Sequence, residues 1–283
     1  MTPRALNAAD RGAGPYLWRF SGFNRTLHAL VIVSFLGLVA TGLPLHFSHA
    51  GWARPLIDLF GGVAAAGMLH RICALITFGY FFAHVAYLAY QLATRPDRMR
   101  LLWGPDSMVP QLKDVRDIIQ MFKWFLGMGA RPQFERFSYM EKFDYWAVFW
   151  GVAIIGTSGL FLWFPTFFAR FLPGWVFNIA TIIHGDEALL ATCFIFTIHF
   201  FNVHIRPEKF PIDTVIFTGR ATTEYMQEEH PLEYDRARRE GRLDARVAPA
   251  PSPAANRWSV VLGFASFGLG VVLVILVFWA LLH

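Results

Sequence analysis

Five stretches of this chain are apolar for long enough to cross a bilayer, and no other feature restricts its fold so tightly. About 20 apolar residues at 1.5 Å rise reach across roughly 30 Å of hydrocarbon, and a backbone in lipid must satisfy its own hydrogen bonds, so such runs form helices. The spans are expected at 26–43 (TLHALVIVSFLGLVATGL), 69–91, 144–165 (DYWAVFWGVAIIGTSGLFLWFP), 181–207 (TIIHGDEALLATCFIFTIHFFNVHIRP) and 258–282. The expected fold class is an all-α membrane protein: a four-helix transmembrane bundle over 26–204 plus a fifth C-terminal transmembrane helix over 258–283. Composition agrees, with 55% hydrophobic residues, 17% aromatic and 29 Phe.

Between the spans the chain turns polar. Residues 1–25 lack the apolar core of a signal peptide and read as a cytoplasmic tail. The loop 92–142 contains KDVRDIIQMFKWFLGMG, whose spacing suits an amphipathic helix on the membrane surface or against a partner. Residues 205–257 are charged and then rich in Ala and Pro, which reads as an excursion and linker. These three segments hold 22 of the 25 Lys and Arg; only Arg54, Arg71 and Arg170 fall at or near the other face. By the positive-inside rule the N-terminus is cytoplasmic and the chain is a multi-pass protein of a bacterial inner membrane. The charge of +5 follows from that asymmetry, so nothing points to nucleic acid.

Ionisable groups in lipid are costly and usually mark function, and imidazole is a common iron ligand. The fourth span carries His184, His199 and His204; the second carries His70 and His84; the first carries His28. Fifteen residues put His184 and His199 about 22 Å apart, with the second about 60° round the helix. His70 and His84 are separated by about 21 Å and about 40°. Two depths imply two sites. His70 and His184 form the outer pair. On the inner side His199 could pair with His84 or with His28, and His204 is a further alternate; spacing leaves these open, and leaves room for a third site. His46, His49, His230 and His283 read as surface residues. Cys73 and Cys193 lie in apolar helices without a CxxCH, so they read as small core residues and any haem as b-type.

If haem is held, its propionates need cations: Arg71 beside the outer pair, and Arg25 or Arg206 at the inner one. Gly37, Gly42, Gly151, Gly156 and Gly159 sit where a backbone or a flat ligand could come close. In ERFSYMEKFDYW, Ser138, Tyr139, Glu141, Lys142 and Asp144 offer hydrogen bonds suited to a quinone headgroup at the interface. Asp186 and Glu187, just past His184, suit a proton relay or partner contact.

The order NRTLHA, MLHR, IIHG, TIHF and then GRATTEYMQEEHPLEYDRARREG resembles the cytochrome b (gamma) subunit of respiratory formate dehydrogenases and the wider di-haem cytochrome b561 group, including nickel-iron hydrogenase cytochromes b. The resemblance covers about 20–242 and implies two b haems with ligands from helices one, two and four. It implies His70 and His184 for the outer haem, His28 and His199 for the inner, and a quinone site beside the inner one. The 184–199 spacing is one residue longer than the family's usual one. On this reading the chain is the quinone-reactive membrane-anchor subunit of an oxidoreductase, linking a periplasmic-side or membrane-associated redox subunit (iron-sulfur or multihaem) to menaquinone or ubiquinone. Its rivals are a self-contained b561-type quinol oxidase and, from another class, a non-haem histidine-lined transporter.

Overall fold

A computed structural model describes residues 15–283. Five helices are long and apolar enough to cross a membrane: Gly22–His46, Val63–Thr94, Tyr139–Trp163, Trp175–Ile205 and Pro253–Leu282, here spans one to five. The chain is an all-α, multi-pass membrane protein. Only 6% of the most apolar window of spans two and three is buried. Leu75, Phe82 and Trp150 therefore stand exposed, as they would toward lipid rather than water.

The chain forms two compact units. One comprises Thr26–Val85, Ala147–Asp213 and Val260–His283 and holds the apolar bulk of the spans. Its core joins Val39 and Leu43 of span one, and Phe47 just after it, to Phe196 and Phe200 of span four and Leu273 and Val277 of span five. A Cβ on Gly270 would come within 1.8 Å of the Phe196 ring, so only glycine lets span five approach that ring. Span one continues to His46 through a buried Pro44, beyond the stop expected there. The turn goes on because the Phe47 amide bonds the Leu43 carbonyl at 2.8 Å.

The second unit contains the described residues up to Arg25, with Ala86–Trp146 and Thr214–Ser259. Part of the expected tail is its central strand. β1 (Tyr16–Trp18) pairs antiparallel with β2 (Arg220–Thr222) and β3 (Val247–Ala248), in the order β2-β1-β3. Residues 1–14 of the expected tail lie outside the described residues. The amphipathic helix spans Leu112–Phe125. Its polar side is spent inside the unit: Asp114 accepts from Lys142 at 2.8 Å, Asp117 from Lys113 at 2.5 Å, and Gln120 donates to the Ala130 carbonyl at 2.7 Å. Leu112, Ile119, Phe122 and Phe125 are exposed instead, the inverse of a water-facing helix.

The excursion after span four folds into helices Thr223–Glu229 and Pro231–Arg239 around a buried carboxylate. Glu233, 1% exposed, accepts from Arg19 at 2.5 Å and from Arg136 and Arg246 at 2.8 Å each. His230, expected at the surface, is buried beside it at 3% exposure. Its Nδ1 donates to the Glu135 carbonyl at 2.8 Å, and its Nε2 accepts from Arg19 at 3.0 Å, which fixes a neutral imidazole. A ten-residue reading frame around His230 contains no apolar period that would have announced its burial.

Burial, and next the Arg19 guanidinium, push the His230 pKa down from 6.5 to about 4. Burial alone would raise that of Glu233, but Arg19, Arg136 and Arg246 hold it down to about 2. Both groups bind protons more tightly when unfolded, so both make stability fall with acidification. The His230 share is present above pH 6.5 and is lost toward pH 4; the Glu233 share starts to go only below its unfolded value of 4.5. The melting temperature of the purified chain should drop between pH 7 and pH 5, and His230→Gln should flatten that slope. Glu233→Gln should cost about 3–5 kcal/mol at pH 7, because three buried guanidinium groups lose their anion.

Candidate cofactor site

The apolar unit brings together histidines that lie far apart in sequence. His70 of span two and His184 of span four face each other with ring centres 6.2 Å apart at 69°. Two nitrogens bound about 2 Å from one metal, each with its ring centre roughly 1 Å behind, put ring centres roughly 6 Å apart. The observed separation matches that requirement.

The hydrogen bonds select the nitrogen that stays available. His184 Nδ1 lies 3.0 Å from the Ile155 carbonyl, which can only accept, so Nδ1 carries the proton. The Ser158 hydroxyl donates to Ile154 at 2.8 Å and stands 3.3 Å from the same Nδ1. His70 Nδ1 lies 3.0 Å from Thr41 Oγ1, whose one proton goes to the Gly37 carbonyl at 2.6 Å, so the imidazole again donates. Both rings are thereby held as the neutral tautomer whose Nε2 keeps its lone pair, the form a metal ligand needs.

Span three supplies the Ile155 carbonyl because its helix is not regular there. Residues Val152–Gly156 form a π turn, with bonds from i to i+5, and such bulges alter which carbonyls the helix itself uses. Two further π turns, Ile195–His199 and Phe201–Ile205, lie in span four. A π turn takes up one residue more than an α turn, so the long 184–199 interval is rotated back by roughly 100°. The expected 60° offset, which assumed a regular helix, does not apply.

Glycines make room for both imidazoles. A Cβ on Gly159 would lie 2.9 Å from His184 Cε1, one on Gly42 would lie 3.1 Å from His70 Cε1, and one on Gly185 would lie 2.6 Å from His46 Cε1. His46, though exposed, thus reaches span four beside His184. Arg71 lays its guanidinium 5.7 Å over the Trp163 ring, and the Trp150 indole donates to Glu187 at 3.2 Å.

The inner histidines also gather. The rings of His199 and His204 lie 6.0 Å apart, and His28 of span one is within electrostatic range of both. His204 is 3% exposed and hydrogen-bonds the backbone of Asp213. His84 packs 6.1 Å from the Phe149 ring of span three. Arg206 pairs with Glu208 at 3.7 Å.

In the polar unit, the groups proposed for a quinone headgroup serve one another. Glu141 accepts from the Ser138 amide at 2.7 Å and hydroxyl at 2.8 Å, while the Glu141 amide donates back to that hydroxyl at 3.3 Å. This reciprocal cap starts span three, and its S-x-x-E spacing is visible in the sequence as a capping signal. Lys142 is buried on Asp114. Arg25 donates from Nε to the Phe217 carbonyl at 2.7 Å.

Among the described residues, no group of three or more His, Cys, Asp or Glu side chains is set to hold a bare metal ion. A facing pair with glycine clearance would suit a metal that brings its own macrocycle and takes two ligands from the protein. His70 and His184 fit that role on separation, tautomer and clearance together. The chain matches no family model and no curated protein.

Should His70 and His184 hold a porphyrin, Gly159→Ala, which drives a methyl against His184, will at least halve the amount retained per purified chain. Gly67→Ala, whose Cβ would meet nothing within 4 Å, should leave retention unchanged, as an absorption spectrum normalised to protein will report.

Proposed function

We propose that this chain is the membrane-anchor cytochrome b subunit of a respiratory oxidoreductase, carrying electrons between a partner redox subunit and the quinone pool through two b haems. The observation that carries the reading is the His70–His184 pair, with ring centres 6.2 Å apart and both Nδ1 atoms tied to acceptors. When bound, haem supplies a one-electron iron couple at each of two depths in an otherwise insulating layer.

The chain's own residues would do the rest. Thr41 and the Ile155 carbonyl orient the outer imidazoles and raise their basicity as ligands. His28 and His199 are the inner ligands that the resemblance implies, and His28 stands within electrostatic range of His199 and His204. Arg71, which reaches over Trp163, offers a cation to an outer propionate, as Arg206 does on the inner side.

The resemblance to formate dehydrogenase gamma subunits and b561-type cytochromes supports a quinone, menaquinone or ubiquinone, as the lipid-soluble reactant. The same resemblance supports an iron-sulfur or multihaem protein as the other partner. The location we propose is a bacterial inner membrane with the N-terminus cytoplasmic, since 22 of the 25 Lys and Arg fall in segments that alternate spans assign to one face.

A reduced-minus-oxidised spectrum with haem quantification should give two b haems per chain. His70→Ala and His184→Ala should each remove about half of that haem, and so should His28→Ala and His199→Ala, while His84→Ala should retain it all. A colourless purified chain would favour the histidine-lined transporter and sink this reading.

A further inference from the structure

In the polar unit the buried cations have anions beside them: Lys142 has Asp114, and Arg19 has Glu233. One cavity breaks this pattern. It measures about 350 Å³ and is lined by Arg25, Arg220, Thr218 and Ser252, with a rim formed by 249–251 and Ala255. Two guanidinium groups face one space, and no carboxylate is among its lining residues.

Each arginine commits one nitrogen to a backbone carbonyl and, among the described residues, none to a carboxylate. Arg25 uses Nε on the Phe217 carbonyl at 2.7 Å. Arg220 uses one Nη on the Ala250 carbonyl at 3.1 Å and lies 4.8 Å over the Trp18 ring, while its Nε is buried with no hydrogen-bond partner. The fold builds this juxtaposition. Gly219 has φ +77°, and a Cβ there would lie 2.7 Å from the Phe20 carbonyl and 2.9 Å from Arg25 Cδ, so only glycine allows the 218–220 turn to close over Arg25. Ser252 caps the Ala255 amide at 3.2 Å and opens the 30-residue helix Pro253–Leu282, whose positive end adds to the field of the arginines.

The cavity's position in the membrane follows from chain order. Arg25 stands at the start of span one and Ala255 at the start of span five, and odd-numbered spans begin on the same face. Both ends lie where helices leave the hydrocarbon, at the level of the lipid headgroups. A phosphate offers the acceptor oxygens that two arginines and the Ser252 hydroxyl can engage, Thr218 having given its proton to the Thr214 carbonyl at 3.0 Å. The Pro and Ala rim gives the esterified glycerol an apolar wall, which a free phosphate would not use.

We propose that this cavity binds the phosphate of an anionic phospholipid of the leaflet at which spans one and five begin. It anchors that end of the protein and makes lipid part of its structure. The proposal stands independently of the haem assignment.

The test is native mass spectrometry of the full chain exchanged into detergent with phosphatidylglycerol, phosphatidylcholine or inorganic phosphate. One phosphatidylglycerol per chain should survive activation that strips phosphatidylcholine. Arg220→Gln and Arg25→Gln should each lower its apparent affinity about fivefold. Arg220→Lys should keep most of the binding, and Ala255→Leu, which narrows the cavity without touching charge, should lower it as the Gln variants do. Arg54→Gln, at a side chain 89% exposed elsewhere, should change nothing. Equal retention of the two lipids, or phosphatidylglycerol retention unaffected by Arg220→Gln and by Ala255→Leu, would overturn the proposal. Displacement of phosphatidylglycerol by equimolar inorganic phosphate would overturn it too, by assigning the cavity to a soluble phosphate.

Discussion

A proton fixed on Nδ1 is what leaves His70 and His184, polar groups in an apolar bundle, each with one nitrogen lone pair to offer. Inside lipid no water can complete an imidazole's hydrogen bonding, so each ring nitrogen must find a protein acceptor or a metal. Thr41 and the Ile155 carbonyl satisfy one nitrogen of each ring. The other nitrogens are left on rings that face each other at 6.2 Å. Much of the local architecture serves this arrangement: the π turn beside Ile155, the threonine braced on Gly37, and glycines at 42 and 159 where any side chain would push the rings aside.

The polar unit solves a different electrostatic problem. Its charges come from the polar segments that hold most of the Lys and Arg, and it draws many of them inward on a few carboxylates rather than leaving them to the solvent. Glu233 alone gathers three arginines, and Arg236 bonds both Asp106 and Glu135. Such a knot contributes specificity more than net stability, because desolvation offsets most of the attraction. The helix Leu112–Phe125 follows the same logic in reverse, spending its polar side inside and presenting Ile119 and Phe122 outward.

The spans and the outer histidine pair were legible in the sequence because both rest on regular periodicity and on the scarcity of ionisable groups in lipid. The exceptions to regularity were not. No composition marks the π turns at 152–156, 195–199 and 201–205, and the one at 195–199 moves His199 relative to an ideal helix. Strands of two and three residues are too short to show an alternating pattern, so the role of Tyr16–Trp18 at the centre of a sheet was hidden, and with it the folded character of 205–257. The burial of His230 depends on Arg19 and Glu135, more than 90 positions away along the chain. Ser138 and Glu141 were legible in a second way, because their S-x-x-E spacing is that of the helix cap they form.

The claim on which the functional account stands is that paired imidazoles ligate iron from both sides at two depths. Low-temperature electron paramagnetic resonance of the oxidised, purified chain reads that coordination without reference to any partner. Two low-spin ferric signals of bis-imidazole character, with the His184→Ala variant losing one of them, are the expected result. A high-spin ferric signal alone, or a spectrum with no ferric haem signal at all, would contradict the account.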